Sequence, residues 1–171
     1  MIIIGQGTER DPSALRLYTA LNRYVPNERP DAERAPESLR EARRVVRQIS
    51  PTARCRSLTS KYNCMGLVFA TRRTIVPIDH ISMFLEDDGY SQVTRDGVIE
   101  GDIVIYVRDG LAQHVGLVHQ LQDVSPQHDR SIVQIWVLSQ WGDDGEYFHK
   151  IDEVPYLYGT PSQFWSERTP E

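Results

Sequence analysis

Arg108-Asp109-Gly110 stands between two apolar runs, 103–107 and 114–121, and a short Asp-Gly loop between such runs specifies an antiparallel hairpin. Residues 131–138 and 146–151 repeat the strand pattern on either side of the turn-rich Gly142-Asp143-Asp144-Gly145. From Val93 onward the chain therefore reads as an antiparallel sheet.

The first half has helical periodicity instead. Pro36 to Ile49 puts Leu39, Ala42, Val45, Val46 and Ile49 on one face, and Pro51 stops it. Asn63 is a strong N-cap for a helix over 63–71, and a short helix over 79–85 is closed by Gly89. Residues 1–50 as a whole read as a helical arm. Its first helix is capped by Asp11-Pro12, carries Leu15, Leu17, Tyr18, Leu21 and Tyr24 as a stripe, and ends at Pro26 and Pro30. Helices followed by an antiparallel sheet make an α+β fold, with the Cys64 helix packed on the sheet. At 171 residues, 40% of them apolar, the chain suits one core and reads as a single domain, 1–171. Gly5-Gln6-Gly7 lacks the third glycine of a dinucleotide-binding turn.

A formal charge of −5 argues against nucleic acid as the main partner, because neutralising phosphates needs a net basic face. Arg40, Arg43, Arg44, Arg47, Arg54 and Arg56 form a local exception, read as a solvated helix face with Glu37 and Glu41 as partners. No apolar run approaches membrane-spanning length, and Met1-Ile2-Ile3-Ile4-Gly5 has no basic flank. The expectation is a soluble chain, cytoplasmic as synthesised and without a membrane partner; signal-independent export is compatible with it. Two cysteines, Cys55 and Cys64, are too few for a disulfide scaffold and agree with a reducing compartment.

Cys64 opens a helix and His114 opens a strand, which is the arrangement of a nucleophile and its base. A free thiol is mostly protonated at neutral pH; backbone N–H groups at a helix start stabilise the thiolate and can also donate to an oxyanion. Asn63 and Met65 flank the thiol, and Gly66 permits close approach. His119 lies five residues beyond His114 and falls on the other face of the strand. A base histidine needs an orienting partner. Ser139 and Gln140 are the candidates, and alternation lets only one of them face His114. His80, His128 and His149 sit in polar or turn contexts whose spacing fits no metal site, so neither metal nor cofactor is expected.

Asn63-Cys64-Met65-Gly66-Leu67-Val68 resembles the Asp-Cys-Ser-Gly-Leu/Phe-Val nucleophile motif of the papain-like cysteine peptidase superfamily. The closest likeness is to the NlpC-type cell-wall peptidases and the cysteine, histidine-dependent amidohydrolases/peptidases (CHAP). Gly101-Asp102-Ile103-Val104-Ile105-Tyr106 is similar to their Gly-Asp-Leu-Val-Phe-Phe strand, and His114-Val115-Gly116-Leu117-Val118 to their His-Val-Gly-Ile-Tyr. Ser139-Gln140-Trp141-Gly142 is similar to the Asn-Ser-Trp-Gly of papain-type enzymes. The resemblance implies a papain-like core over 51–165. It further implies Cys64 and His114 as the catalytic pair, Ser139 (or Gln140) as third residue, and Asn63 and Met65 beside the oxyanion. The implied substrate is a peptide or peptidoglycan-type amide, cleaved by a toxin, effector or phage-type hydrolase. The same pair also serves a protein-modifying acyltransferase or deamidase. The substitutions Asn63, Met65 and Ser139 motivate a third reading, a catalytically silent binding module.

Overall fold

The computed structural model describes residues 13–124 and 132–168. The cap expected at Asp11-Pro12 and His128 lie outside them. Within them the fold is α+β. Helix α1 spans Pro36–Ile49, α2 Cys64–Phe69 and α3 Ile81–Asp87. The strands are β1 Arg54–Ser57, β2 Ser91–Val93, β3 Ile103–Arg108, β4 Leu111–Asp123, β5 Val133–Gln140, β6 Glu146–Lys150 and β7 Thr160–Ser166. They form one seven-stranded antiparallel sheet in the order β1-β6-β5-β4-β3-β7-β2.

The centre of the sheet is the expected meander. Asp109 and Gly110 turn β3 into β4 with φ of 54° and 77°, the pair of left-handed residues that a two-residue hairpin loop needs. Alternation then gives the sheet two apolar faces. Ile103, Ile105 and Val115 meet α2 and α3 through Cys64, Met65, Phe84 and Leu85. Val104, Tyr106, Val118, Val137, Ile151 and Phe164 form the opposite core, extended by Val46 of α1 against Trp141 and Tyr147.

The first helix expected in the arm is absent. Residues 13–29 instead make a turn closed by a bridge between Tyr18 and Tyr24, with Asn22 at φ 61°, and a second bridge between Glu28 and Ile75. Side chains replace the helical hydrogen bonds. The Asn27 carboxamide accepts from the Leu15 amide at 2.8 Å and donates to the carbonyls of Leu15 and Val25. Asp88 accepts from the amide of Ala20, and Asp87 takes both Thr19 and Arg23. The apolar residues read as a helical stripe are spent differently: Leu17 packs with Val25, outside that stripe, into the α2–α3 core, whereas Leu21 is exposed. The arm completes a core layer. α1, by contrast, runs over Pro36–Ile49 as its periodicity requires.

Three short strands carry no readable alternation and join the sheet from a distance: β1 against β6, β7 against β3, and β2 against β7. No helix among the described residues is long and apolar enough to cross a membrane. Both cysteines are free thiols.

Candidate active site

Helix α2, which Cys64 opens, is held by side-chain bonds from its cap residue Asn63. Asn63 is extended, and its Oδ1 accepts from the Gly66 amide at 2.9 Å, which is an N-cap. The same oxygen accepts from the Val76 amide at 3.1 Å while Nδ2 donates to the Val76 carbonyl at 2.7 Å. Asn63 thus caps α2 and staples it to the neighbouring segment, a role other than the oxyanion contact expected for it. Met65 is fully buried in the core. Gly66 is required because a Cβ there would stand 1.9 Å from the Thr74 carbonyl oxygen. Asn63→Ala is expected to lower unfolding stability by about 2 kcal/mol, since it removes a cap and two further backbone bonds. A urea titration checks this, and a loss under ~0.5 kcal/mol contradicts the stapling role.

Tyr62, just before the cap, donates to Glu146 at 2.7 Å. Glu146 is fully buried at the start of β6, where Arg56 and Arg72 also pair with it. Burial works to raise its carboxyl, but hydrogen bonds from Arg72, Tyr62 and Arg56 hold it below the ordinary carboxylate range. This cluster ties the approach to α2 to the sheet.

Cys64 comes to rest against β4. The β4–β5 ladder begins at Leu117 opposite Leu138, so Val115 lies beyond its end, and the Val115 amide faces the thiol. His114 is the preceding residue. By register it stands opposite Tyr106, against whose ring it packs, and the phenol of Tyr158, on its other side, also feels the charge of Cys64. There the imidazole stacks on Tyr158, centroids 4.1 Å apart and planes within 8°. No hydrogen bond joins Cys64 to His114 among the described residues, and the buried Nε2 of His114 has no partner.

The electrostatics differ from the sequence expectation. Burial pushes the Cys64 thiol up, outweighing the amides of Val115, Met65 and Cys64 itself, which favour the thiolate. Burial, with the charge of His149, drives the His114 imidazole well below its ordinary value. The resting pair is a neutral thiol and a neutral imidazole.

Of the two third-residue candidates, Ser139 shares the His114 face: a Cβ on Gly116 would lie 3.1 Å from Cβ of Ser139. Its hydroxyl is nevertheless engaged elsewhere. His149 Nδ1 lies 2.8 Å from the Lys150 carbonyl and so carries the proton, leaving Nε2 to accept from Ser139 Oγ at 2.8 Å. Ser139 Oγ in turn accepts from Trp141 Nε1 at 3.0 Å. Ser139 orients His149, not His114. Gln140 points to the other face, donating to the carbonyls of Thr59 and Gly142, and its buried Oε1 has no partner.

His149 and Tyr158 are the residues that the sequence reading missed. His149 is fully buried, not in a turn, and burial pulls it to about 4. Its alternation with Tyr147 and Ile151 was the available signal. Tyr158 had none, because a loop brings it onto the sheet. His119 lies against Phe148, on the face opposite His114 as alternation requires. No group of three or more His, Cys, Asp or Glu among the described residues is placed to hold a metal ion.

Beside this cluster a groove of about 680 Å³ runs between α1 and the loop 155–158. Val45, Ile49 and Leu157 form its apolar walls, with Trp141 and Tyr158 also on its lining. One face of Tyr158 therefore belongs to the stack over His114 while the residue also borders the groove. Compared with family models, curated proteins and solved structures, the chain matches none.

Proposed function

We propose that this chain is a papain-like cysteine hydrolase that cleaves an amide bond with Cys64 as nucleophile and His114 as base. The observation that carries the reading is the seating of the Cys64 thiol against the amide of Val115, next to a His114 whose buried Nε2 is unpartnered. An imidazole nitrogen kept free of structural bonds is available to a proton in transit. As Sγ attacks the carbonyl, His114 takes the thiol proton, then delivers it to the departing amine as the C–N bond breaks. The thioester that remains is hydrolysed by water, which restores the thiol. The amides around Cys64 supply donors for the oxyanion. The sequence resemblance makes a peptidoglycan stem peptide the substrate to try first, and the groove between α1 and Tyr158, at about 680 Å³ with apolar walls, has the volume of a ligand site.

Tyr158 covers His114 in the resting arrangement, so substrate must displace its ring before the imidazole can turn toward the thiol. Tyr158→Ala is accordingly expected to raise the rate of Cys64 alkylation by iodoacetamide at pH 7 by roughly tenfold, read by mass spectrometry. His114→Ala on that background is expected to remove the gain. An alkylation rate indifferent to His114 would remove the pairing.

A specific observation favours the second reading, a silent papain-like binding module. Both members of the pair are buried and neutral, and Ser139 is committed to His149. Under that reading Tyr158→Ala exposes an ordinary thiol, with alkylation rising only toward pH 9.

A further inference from the structure

The arginine run of α1 divides in two. Arg40 pairs with Glu37 and Arg44 with Glu41, as a solvated helix face requires. Arg56 is taken by Glu146, and the Arg54 guanidinium lies over the Trp136 ring. Arg43 and Arg47 remain, four residues apart and so on one side of the helix. Neither has an ion pair among the described residues. Both line a pocket of about 480 Å³ with Pro51, Arg54, Cys55 and Tyr147. Their charges bear on the Cys55 thiol and the Tyr147 phenol, so both guanidinium groups are directed to that pocket.

Among the described residues no carboxylate lines it. The acidic group whose charge bears on Cys55 is Glu146, already bound by Arg56, Arg72 and Tyr62. The Arg43 Nε is buried without an acceptor. In a chain of net charge −5, two like charges sharing one concavity, one with a desolvated unpaired donor, form an arrangement that an anion completes. Guanidinium forks match tetrahedral oxyanions, and two of them match a double charge.

We propose that this pocket binds the phosphoryl dianion of a small molecule, held by Arg43 and Arg47 with Cys55 at its floor. The site stands apart from the groove beside His114: Val45 and Ile49 of α1 face that groove, whereas Arg43 and Arg47 face this pocket. The proposal is independent of any catalytic role for Cys64.

Occlusion of Cys55 provides the readout. The full-length protein is labelled with iodoacetamide at constant ionic strength, and the Cys55 peptide is quantified by mass spectrometry with and without inorganic phosphate. A ligand over the thiol slows labelling as 1 + [L]/Kd, about tenfold at ten times Kd. Arg43→Ala and Arg47→Ala are expected to abolish the protection, while Arg47→Lys keeps part of it. Acetate is expected to give none. Absence of protection in the wild type, equal protection in both alanine variants, or equal protection by acetate would each overturn the assignment. Arg47 is an exposed helix residue, so its variants stay folded if Arg43→Ala does not.

Discussion

Replacing Cys64 by alanine is expected to reduce amide turnover by roughly 10⁴-fold or more while leaving the melting temperature within about 3 °C of wild type. The two halves of this expectation have separate causes. In the proposed mechanism the thiol makes the covalent intermediate, so no other group substitutes for it. Its structural part is small: it contributes one small side chain to a cluster dominated by Met65, Phe84 and Leu85. His114→Gln is expected to cost roughly 10²–10⁴-fold, the range of a lost general base. The assay is amine release from peptidoglycan fragments followed by chromatography. Undiminished release by Cys64→Ala would place any activity elsewhere in the molecule and leave the pair without a chemical role.

Acidification is expected to weaken the fold from about pH 6.5 downward. His149 is fully buried, and burial brings it from 6.5 to about 4. The folded chain therefore keeps this imidazole neutral over a range in which the unfolded chain protonates it. The unfolded state then binds more protons, so stability is complete above pH 6.5 and is lost progressively toward pH 4. At 1.36 kcal/mol per unit the loss is about 3 kcal/mol, on the order of a quarter or more of a domain's total. His114 is shifted in the same direction by its own burial. Glu146 acts in a separate window: its carboxyl lies below the ordinary 4.5, so its contribution is intact above that value and fades only as pH falls further. Urea unfolding at pH 7.5, 6.5, 5.5 and 5.0 samples the His149 window without entering that of Glu146. His149→Gln loses stability outright through Ser139, but its slope between pH 6.5 and 5 is expected to be flatter. A wild type equally stable at pH 6.5 and 5.0 would contradict this account.

The parts of the fold that depend on nearest neighbours were legible in the sequence. α1 is written in a 3.6-residue period, α2 in its Asn63 cap, and the β3–β4 hairpin in Asp109-Gly110. What depends on distant partners was not. Residues 13–29 have an amphipathic pattern, yet the Asn27, Asp87 and Asp88 side chains supply a better set of partners than a helix would. β1 and β2 are four and three residues long, too short for a period to show. The candidate site divides the same way. Cys64 opens α2 as its Asn63 cap predicts. His114, expected to open its strand, is instead the fourth residue of β4, which begins at Leu111 because the hairpin turn at Asp109-Gly110 pairs the chain from there. The engagement of Ser139 depends on β5–β6 register, which sets Val137 opposite His149 and Ser139 opposite Tyr147. The cover on His114 depends on where the loop 155–158 lands.

The strand order also fixes when the nucleophile arrives. β3 to β6 are neighbours both along the chain and in the sheet, so their closure entropy is small. The Cys64 helix belongs to the half of the chain that reaches the sheet through long-range contacts, from Cys64 against Val115 to Arg56 against Glu146, 90 residues apart. Such loops close late, once the meander has formed a surface to receive them. A partly folded chain thus holds His114 on a formed hairpin before Cys64 is seated beside it, and the proposed pair exists only in the finished molecule.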